Sequence, residues 1–318
     1  MKVIDHINNA NGKTLFSFEI LPPLKGQNIQ SIFDNIDPLM EFKPPFIDVT
    51  YHREEYNYKE LSNGLLEKKI IRKRPGTVGI CAGIQNRYQV DAVPHILCGG
   101  FSKEDTENLL IDLHFLGIDN VVALRGDAVK SETYFKPEQE GHAYAVDLVK
   151  QIQDLNQGVY LDEDLLNSSS TDFCMGVAGY PEKHMEAPSL ESDIHFLKKK
   201  IAAGANYIIT QMFFDNQKYF DFVDKCRAAG ITVPIVPGLK PLSTIKQLNM
   251  IPQRFHVDIP DDLVKAVVKS KNNQEVREVG IEWCVEQSKS LVKAGVPLLH
   301  YYSMGKSDNI KSIATHIF

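Results

Sequence analysis

The chain has 318 residues and a formal net charge of −6 at neutral pH. That length fits one large domain or two small ones, and the acidic balance argues against nucleic acid as a partner, since such proteins carry basic surface. The five cysteines are odd in number with no CxxC pair, so neither a disulfide framework nor a zinc site is supported.

The opening stretch MKVIDHINNANGK has no apolar signal core, and no run is long enough to cross a bilayer. A cytoplasmic protein without a membrane partner is the expectation, and a homo-oligomer stays open. Leu15–Ile20 then reads as a short buried strand, closed by Pro22-Pro23. Helical spacing follows over 29–42, then a strand over 46–51. Residues 59–71 read as a helix, and 76–89 as a surface excursion. A strand over 92–98 precedes a helix over 102–116 and the strand Asn120–Leu124. A helix over 142–155 leads to a polar, acidic loop over 156–173, then a strand over 175–180. In the helix over 190–203, Ile194, Leu197 and Ile201 form one apolar stripe suited to a sheet. Strands over 207–213 and 234–239 flank a helix over 216–229. A helical stretch over 261–293 precedes the last strand, 298–304.

Eight such strands alternating with helices predict parallel pairing and a single-domain (β/α)8 TIM-type barrel over 1–318. A doubly wound open sheet is the alternative. No GxGxxG follows the first strand and no GxxxxGK[ST] occurs, which counts against the common nucleotide-binding sheets.

In a barrel the functional groups sit at the C-terminal strand ends. Those ends carry Glu19, then Thr50-Tyr51-His52, then His95 and Cys98, then Arg125-Gly126-Asp127. Further round come Tyr180 to His184, Thr210-Gln211, Lys240, and Tyr301-Tyr302-Ser303. Glu19 stands out, because burying a carboxylate costs several kcal/mol (order of magnitude) unless something compensates. An ion-paired structural glutamate is the plain alternative. His95 fits a satisfied core histidine as well as a ligand contact, and Arg125–Asp127 fits a rim ion pair. His52, His95 and His184 lack metal-ligand spacing, so no metal site is expected. Two carboxylates and an arginine at one mouth suit a large, flat, polar ligand with proton transfer beside it. Lys240 supports a rival reading, a Schiff-base aldolase.

The segments FSFEILPP (16–23), DVTY (48–51), PHILC (94–98), VALRGD (122–127), YPEKH (180–184), KKKIAAGAN (198–206), ITQMFFD (209–215) and PGLKP (237–241) resemble methylenetetrahydrofolate reductases of the short bacterial type. The resemblance runs in order along nearly the whole chain. It implies a barrel that holds FAD without a Rossmann fold and lacks the regulatory domain of the eukaryotic enzymes. It implies reduction of 5,10-methylenetetrahydrofolate to 5-methyltetrahydrofolate, ping-pong, with NADH or NADPH as hydride donor. Glu19 would be the general acid, and Asp127 would lie by the flavin and the folate pterin. Gln211, Ile245 and Tyr302 would join Glu19 and Asp127 in holding folate. Thr50, Tyr51, His95, Arg125, Gly126, Asp127, Ala145, Tyr180, His184, Asp193 and Lys200 would hold FAD. Two positions depart from the bacterial pattern. Ile245 replaces an aromatic that stacks on the substrate, and Phe196 replaces an asparagine near the cofactor. A flavin- or folate-binding protein without turnover is the non-enzyme alternative.

Overall fold

The computed structural model describes residues 1–53, 55–71, 74–129 and 132–318. A short helix α1 (Val3–Asn9) precedes β1 (Leu15–Ile20). Helix α2 (Gln30–Ile36) tightens into a 3-10 turn (Asp37–Phe42) before β2 (Phe46–Val49). Then come β3 (Glu55–Glu60), β4 (Leu66–Ile71), α3 (Thr77–Tyr88), β5 (Asp91–Leu97), α4 (Lys103–Phe115), β6 (Asn120–Leu124), α5 (Ala145–Asn156) and β7 (Cys174–Gly179). The chain continues through α6 (Leu190–Ala202), β8 (Tyr207–Thr210), α7 (Asn216–Ala228), β9 (Ile235–Val236), β10 (Gly238–Leu239) and α8 (Gln247–Phe255). It ends with α9 (Asp261–Lys269), α10 (Asn273–Lys293), β11 (Leu298–Tyr302) and α11 (Asp308–Ala314).

Nine parallel strands run in the order β10-β11-β1-β2-β5-β6-β7-β8-β9. β9 and β10 are the two halves of one strand, interrupted at Pro237, which has no N–H to give a ladder. β9 pairs with β8 and β10 with β11, so eight strand positions circle an α/β barrel of the TIM type.

Strand alternation sorts the side chains into two cores. Phe16, Phe18, Ile47, Ile96, Val121 and Val177 point outward and pack under the helices. Phe46, Val93, Val122, Cys174, Tyr207, Val236 and Leu298 fill the interior. Helix α1 closes the N-terminal end. Val3 joins the interior core, its backbone N–H donates to Asn120 Oδ1 at 2.8 Å, and His6 meets Asp91 at 2.6 Å. A third cluster, including Met212, Phe214, Leu242 and Ile251, lies under α8 to α10.

Two local expectations fail, and one failure explains the other. Residues 59–71 form no helix; they belong to the antiparallel hairpin β3–β4. Leu61 N–H donates to Leu65 O at 2.8 Å, and Gly64 takes φ +76°, the left-handed conformation that closes such turns. The helix of this repeat is α3, inside the segment read as an excursion. It buries Ile80, Cys81 and Ile84 on one face. The stretch over 261–293 is likewise two helices, α9 and α10, because Ser270 turns to extended backbone and Asn272 caps the next helix through Gln274 and Glu275.

Candidate active site

The inner face of β1 carries Leu15, Ser17 and Glu19 in alternation. Its neighbours add Asp48 from β2, His95 from β5 and His300 from β11. Register brings them together: Glu19 pairs with Asp48 on one side and Tyr302 on the other, and Ser17 pairs with His300. His95 Nε2 lies 3.4 Å from Asp48 Oδ2 and 3.6 Å from Glu19 Oε2. His300 Nε2 lies 3.9 Å from the same Asp48 oxygen, and its Nδ1 shares a 2.8 Å hydrogen bond with Ser17 Oγ. Asp48 is fully buried, and among the described residues its Oδ1 and His300 Nε2 have no hydrogen-bond partner.

Burial sets the protonation states. It raises Glu19, with the Asp48 charge adding to the rise; His95, the Thr50 hydroxyl and Lys240 pull it back only in part. Burial also lowers His95, but its contacts with Asp48 and Glu19 outweigh that and leave it raised. His300, deeper and poorly compensated, falls to about 4. Glu19 is thus a carboxyl group inclined to keep its proton, touching a histidine inclined to keep its charge. That pairing suits a general acid. The side chain of Glu19 retains 12% exposure, so its proton can leave toward a ligand at the mouth.

The other predicted site residues lie at strand ends, in the turns after them and on α5 and α6. Thr50 Oγ1 donates to Ile20 O at 3.0 Å, and the Tyr51 ring rests 5.1 Å from Phe101. Gly126 takes φ +84°, and a Cβ there would stand 3.3 Å from Leu97 Cδ1; the turn after β6 therefore favours glycine. It leaves Asp127 exposed, close enough to raise Tyr180 behind the larger effect of that phenol's burial. Tyr180 meets His184 edge-on at 4.8 Å, and the His184 N–H donates to Asp193 Oδ2 at 2.8 Å. Lys200 Nζ donates to Ala178 O at 2.8 Å. Ala145 is the first residue of α5, half-buried. Tyr302 donates to Thr210 O at 2.6 Å, and the Gln211 N–H donates to Gly179 O at 2.8 Å. Ile245, at 47%, and Phe196, at 51%, are also exposed, on the loop before α8 and on α6.

Four residues of this site escape the strand-end reading. Ser17 and His300 lie one layer below the strand ends, and Asp48 lies level with Glu19. The signal for Asp48 is the one that marks Glu19, a lone carboxylate in an apolar run, Phe46-Ile47-Asp48-Val49. The fourth is Glu186, whose carboxylate takes both arms of Arg125 at 2.6 and 2.7 Å. A guanidinium that grips a carboxylate in this bidentate way presents the fork that also binds a phosphate. Lys200, brought down to about 8 by burial that Asp193 only partly offsets, is a second cation of this rim. These two fit a diphosphate-bearing cofactor.

Comparison with known proteins follows that geometry. A family model described as methylenetetrahydrofolate reductase matches residues 2–317. The chain is 32% identical over 300 residues to 5,10-methylenetetrahydrofolate reductase of Escherichia coli (strain K12), covering 94% of this chain and 89% of that protein. It is 33% identical over 317 residues to methylenetetrahydrofolate reductase 1 of Schizosaccharomyces pombe, covering 98% of this chain and 48% of the relative. The chain thus spans about half the length of its eukaryotic relatives. A solved structure, an uncharacterized protein from Clostridium thermocellum described as binding two copies of 5-methyl-5,6,7,8-tetrahydrofolic acid, shares the fold. Its TM-score is 0.60 at 16% identity, over 99% of this chain and 98% of that one.

Proposed function

Since the chain belongs to the methylenetetrahydrofolate reductase family, we propose that it reduces 5,10-methylenetetrahydrofolate to 5-methyltetrahydrofolate with FAD and a reduced nicotinamide, in a ping-pong sequence. The observation that carries this reading is Glu19, a buried carboxyl group with a raised pKa at the mouth of the barrel, in contact with His95. FAD, when bound, supplies the hydride relay between the nicotinamide and the folate.

The residues have separable tasks. The folate's bridging carbon accepts hydride only after its ring has opened to an iminium cation. Opening expels an amine nitrogen, and Glu19 gives that nitrogen its proton. Asp127, exposed at the same mouth, favours the cation electrostatically. Arg125 and Lys200 would take the cofactor's diphosphate, Arg125 releasing Glu186 to do so. Thr50, Tyr51, His95, Gly126, Ala145, Tyr180, His184 and Asp193 would complete that cradle, and Gln211 and Tyr302 would orient the folate. The bacterial relatives and the folate-binding neighbour support folate as the substrate class. Plant relatives named as NADH enzymes make NADH the first donor to test, with NADPH beside it.

Absorbance tests the reading. Protein incubated with FAD should retain a flavin spectrum, lose it on anaerobic addition of NADH or NADPH, and regain it on addition of methylenetetrahydrofolate. A protein that takes up no flavin would sink the proposal. Bleaching without recovery by the folate would leave a flavin-binding protein of another activity.

A further inference from the structure

Lys240 has no task in that scheme, yet the barrel buries it to 6% exposure. A buried ammonium is costly unless a counter-charge is near. Strand register shows which acid shares its row. Tyr302 pairs with Glu19, and Leu239 pairs with Tyr301. One residue beyond Leu239, Lys240 stands beside Tyr302, so Lys240, Tyr302 and Glu19 occupy one row across three adjacent strands. Leu239 joins the outer core, whereas a Cβ at Gly238 would meet Thr210 and Tyr302 in the interior. Alternation then returns position 240 to the inner side. Among the described residues Lys240 makes no ion pair within 4.0 Å.

The groups around the two residues leave Glu19 as the acid whose anion would answer Lys240. Burial brings Lys240 down to about 8, and Glu19 opposes that fall ahead of Cys284. The Cys284 thiol of α10 is itself pushed up to about 12 by burial and stays neutral. Around Glu19 stand His95 of β5, Asp48 of β2, the Thr50 hydroxyl, and His300 and Tyr302 of β11. The Tyr302 phenol is held well above its usual range by burial, and His300 is neutral above about 4.

We propose that Lys240 is a positioning residue for the acid: its ammonium is the counter-charge for the carboxylate that Glu19 becomes on giving up its proton. The proposal rests on the reading of Glu19 as the acid. In the transfer the carboxylic O–H bond breaks, its electron pair stays on Glu19, and the proton bonds to the amine nitrogen expelled from the folate ring. A solvent proton later returns to Glu19. Before the transfer Glu19 is neutral and gains little from a nearby cation. Afterwards it is an anion in the same largely buried row as a cation, one strand beyond Tyr302. The ammonium therefore favours the far side of the step, which is where an interaction accelerates it. It makes Glu19 a stronger acid than burial and Asp48 alone would leave.

Lys240→Met and Lys240→Arg test this. In Lys240→Met the folate half-reaction should slow about tenfold, as for a weaker acid, and its high-pH limb should move up by about half a unit or more. Flavin reduction by nicotinamide is the internal comparison and should change less than about twofold. Lys240→Arg, which keeps the charge, should restore most of the rate and the original limb. In flavin-free protein, the carboxyl-carbon NMR titration of Glu19, assigned by its loss in Glu19→Gln, should shift upward in Lys240→Met by the same amount. The melting temperature of Lys240→Met should stay at or above wild type, since an apolar side chain replaces a buried charge. An unmoved Glu19 titration and pH limb would overturn the proposal. So would a lower melting temperature with both half-reactions falling together. Equal loss of both half-reactions in Glu19→Gln would instead sink the reading beneath it, so the two failures are distinct.

Discussion

The two halves of the barrel interior differ in chemistry. On β11, β1, β2 and β5 the inner face carries His300, Ser17, Glu19, Asp48 and His95, with two buried atoms unpaired among the described residues. On β6 to β9 it carries Val122, Cys174, Gly176, Tyr207, Ile209 and Val236, a wall packed by apolar groups whose polar atoms are the Asn120 amide, bonded to α1, and the Tyr207 hydroxyl, unpartnered among the same residues, with no carboxylate or imidazole. One half spends stability on buried charge and the other supplies it by packing. The polar half should therefore answer to pH and substrate, and the apolar half to volume alone.

The largest expected effect is that of Glu19→Gln, which keeps size and hydrogen bonding but removes the acid. Stopped-flow reoxidation by methylenetetrahydrofolate should slow by about 10²–10⁴, with flavin reduction within a few-fold of wild type. Parallel loss of both would make Glu19 a structural residue. His300 tests the stability side. Its folded pKa of about 4 lies below the ordinary value of 6.5. As pH falls the unfolded chain takes the proton first, so the stability His300 contributes is full above about pH 6.5 and is lost by about pH 4. The penalty of His300→Gln, measured by denaturant melts, should therefore shrink by roughly 2–3 kcal/mol from pH 7 to pH 4. A penalty independent of pH would mean that the histidine is not held neutral.

Smaller effects probe the rim and the apolar wall. Arg125→Ala should weaken FAD retention by about 1.5–3 kcal/mol in equilibrium dialysis, through lost charge-assisted bonds. Unchanged affinity would place the diphosphate elsewhere. Gly176→Ala would set a Cβ 2.5 Å from Tyr207 Cζ. It should lower stability by about 1–3 kcal/mol without favouring either half-reaction. A selective kinetic effect there would blur the division between the halves. Smallest is Ile245→Phe, which should tighten folate binding in calorimetry by roughly 0.5–1.5 kcal/mol if a ring stacks there. Weaker binding would show that the loop has repacked around the isoleucine.

The strands were legible because each is a short apolar run closed by polar or glycine residues, and the barrel follows from their alternation with helices. The hairpin was not, because Leu61, Leu65 and Leu66 mimic helical spacing while the deciding signal is the three-residue Ser62-Asn63-Gly64 loop with its left-handed Gly64. A helix over 59–71 takes the only helical slot of that repeat, so α3 reads as an excursion. Glu19 was legible as an isolated carboxylate, and the rim residues as strand ends. Asp48 carries the same mark, but its meeting with His95 and His300 was not legible, since pairing across strands decides which interior polar residues meet, and register is not written in local sequence. Glu186 was hidden because nothing local ties it to Arg125, 61 residues earlier.

The break at Pro237 gives the barrel a seam. Elsewhere neighbouring strands share longer ladders, but β8 is joined to β9 by two residue pairs and β10 to β11 by two more. The Gly238 N–H between them turns to the Thr210 hydroxyl rather than to a strand carbonyl. The circumference is weakest at this stitch, and the weakness lies between Gln211 on one bank and Tyr302 and Glu19 on the other. A substrate gripped from both banks would act as a staple, closing the hoop where the backbone does so least and linking occupancy of the mouth to the rigidity of the whole ring.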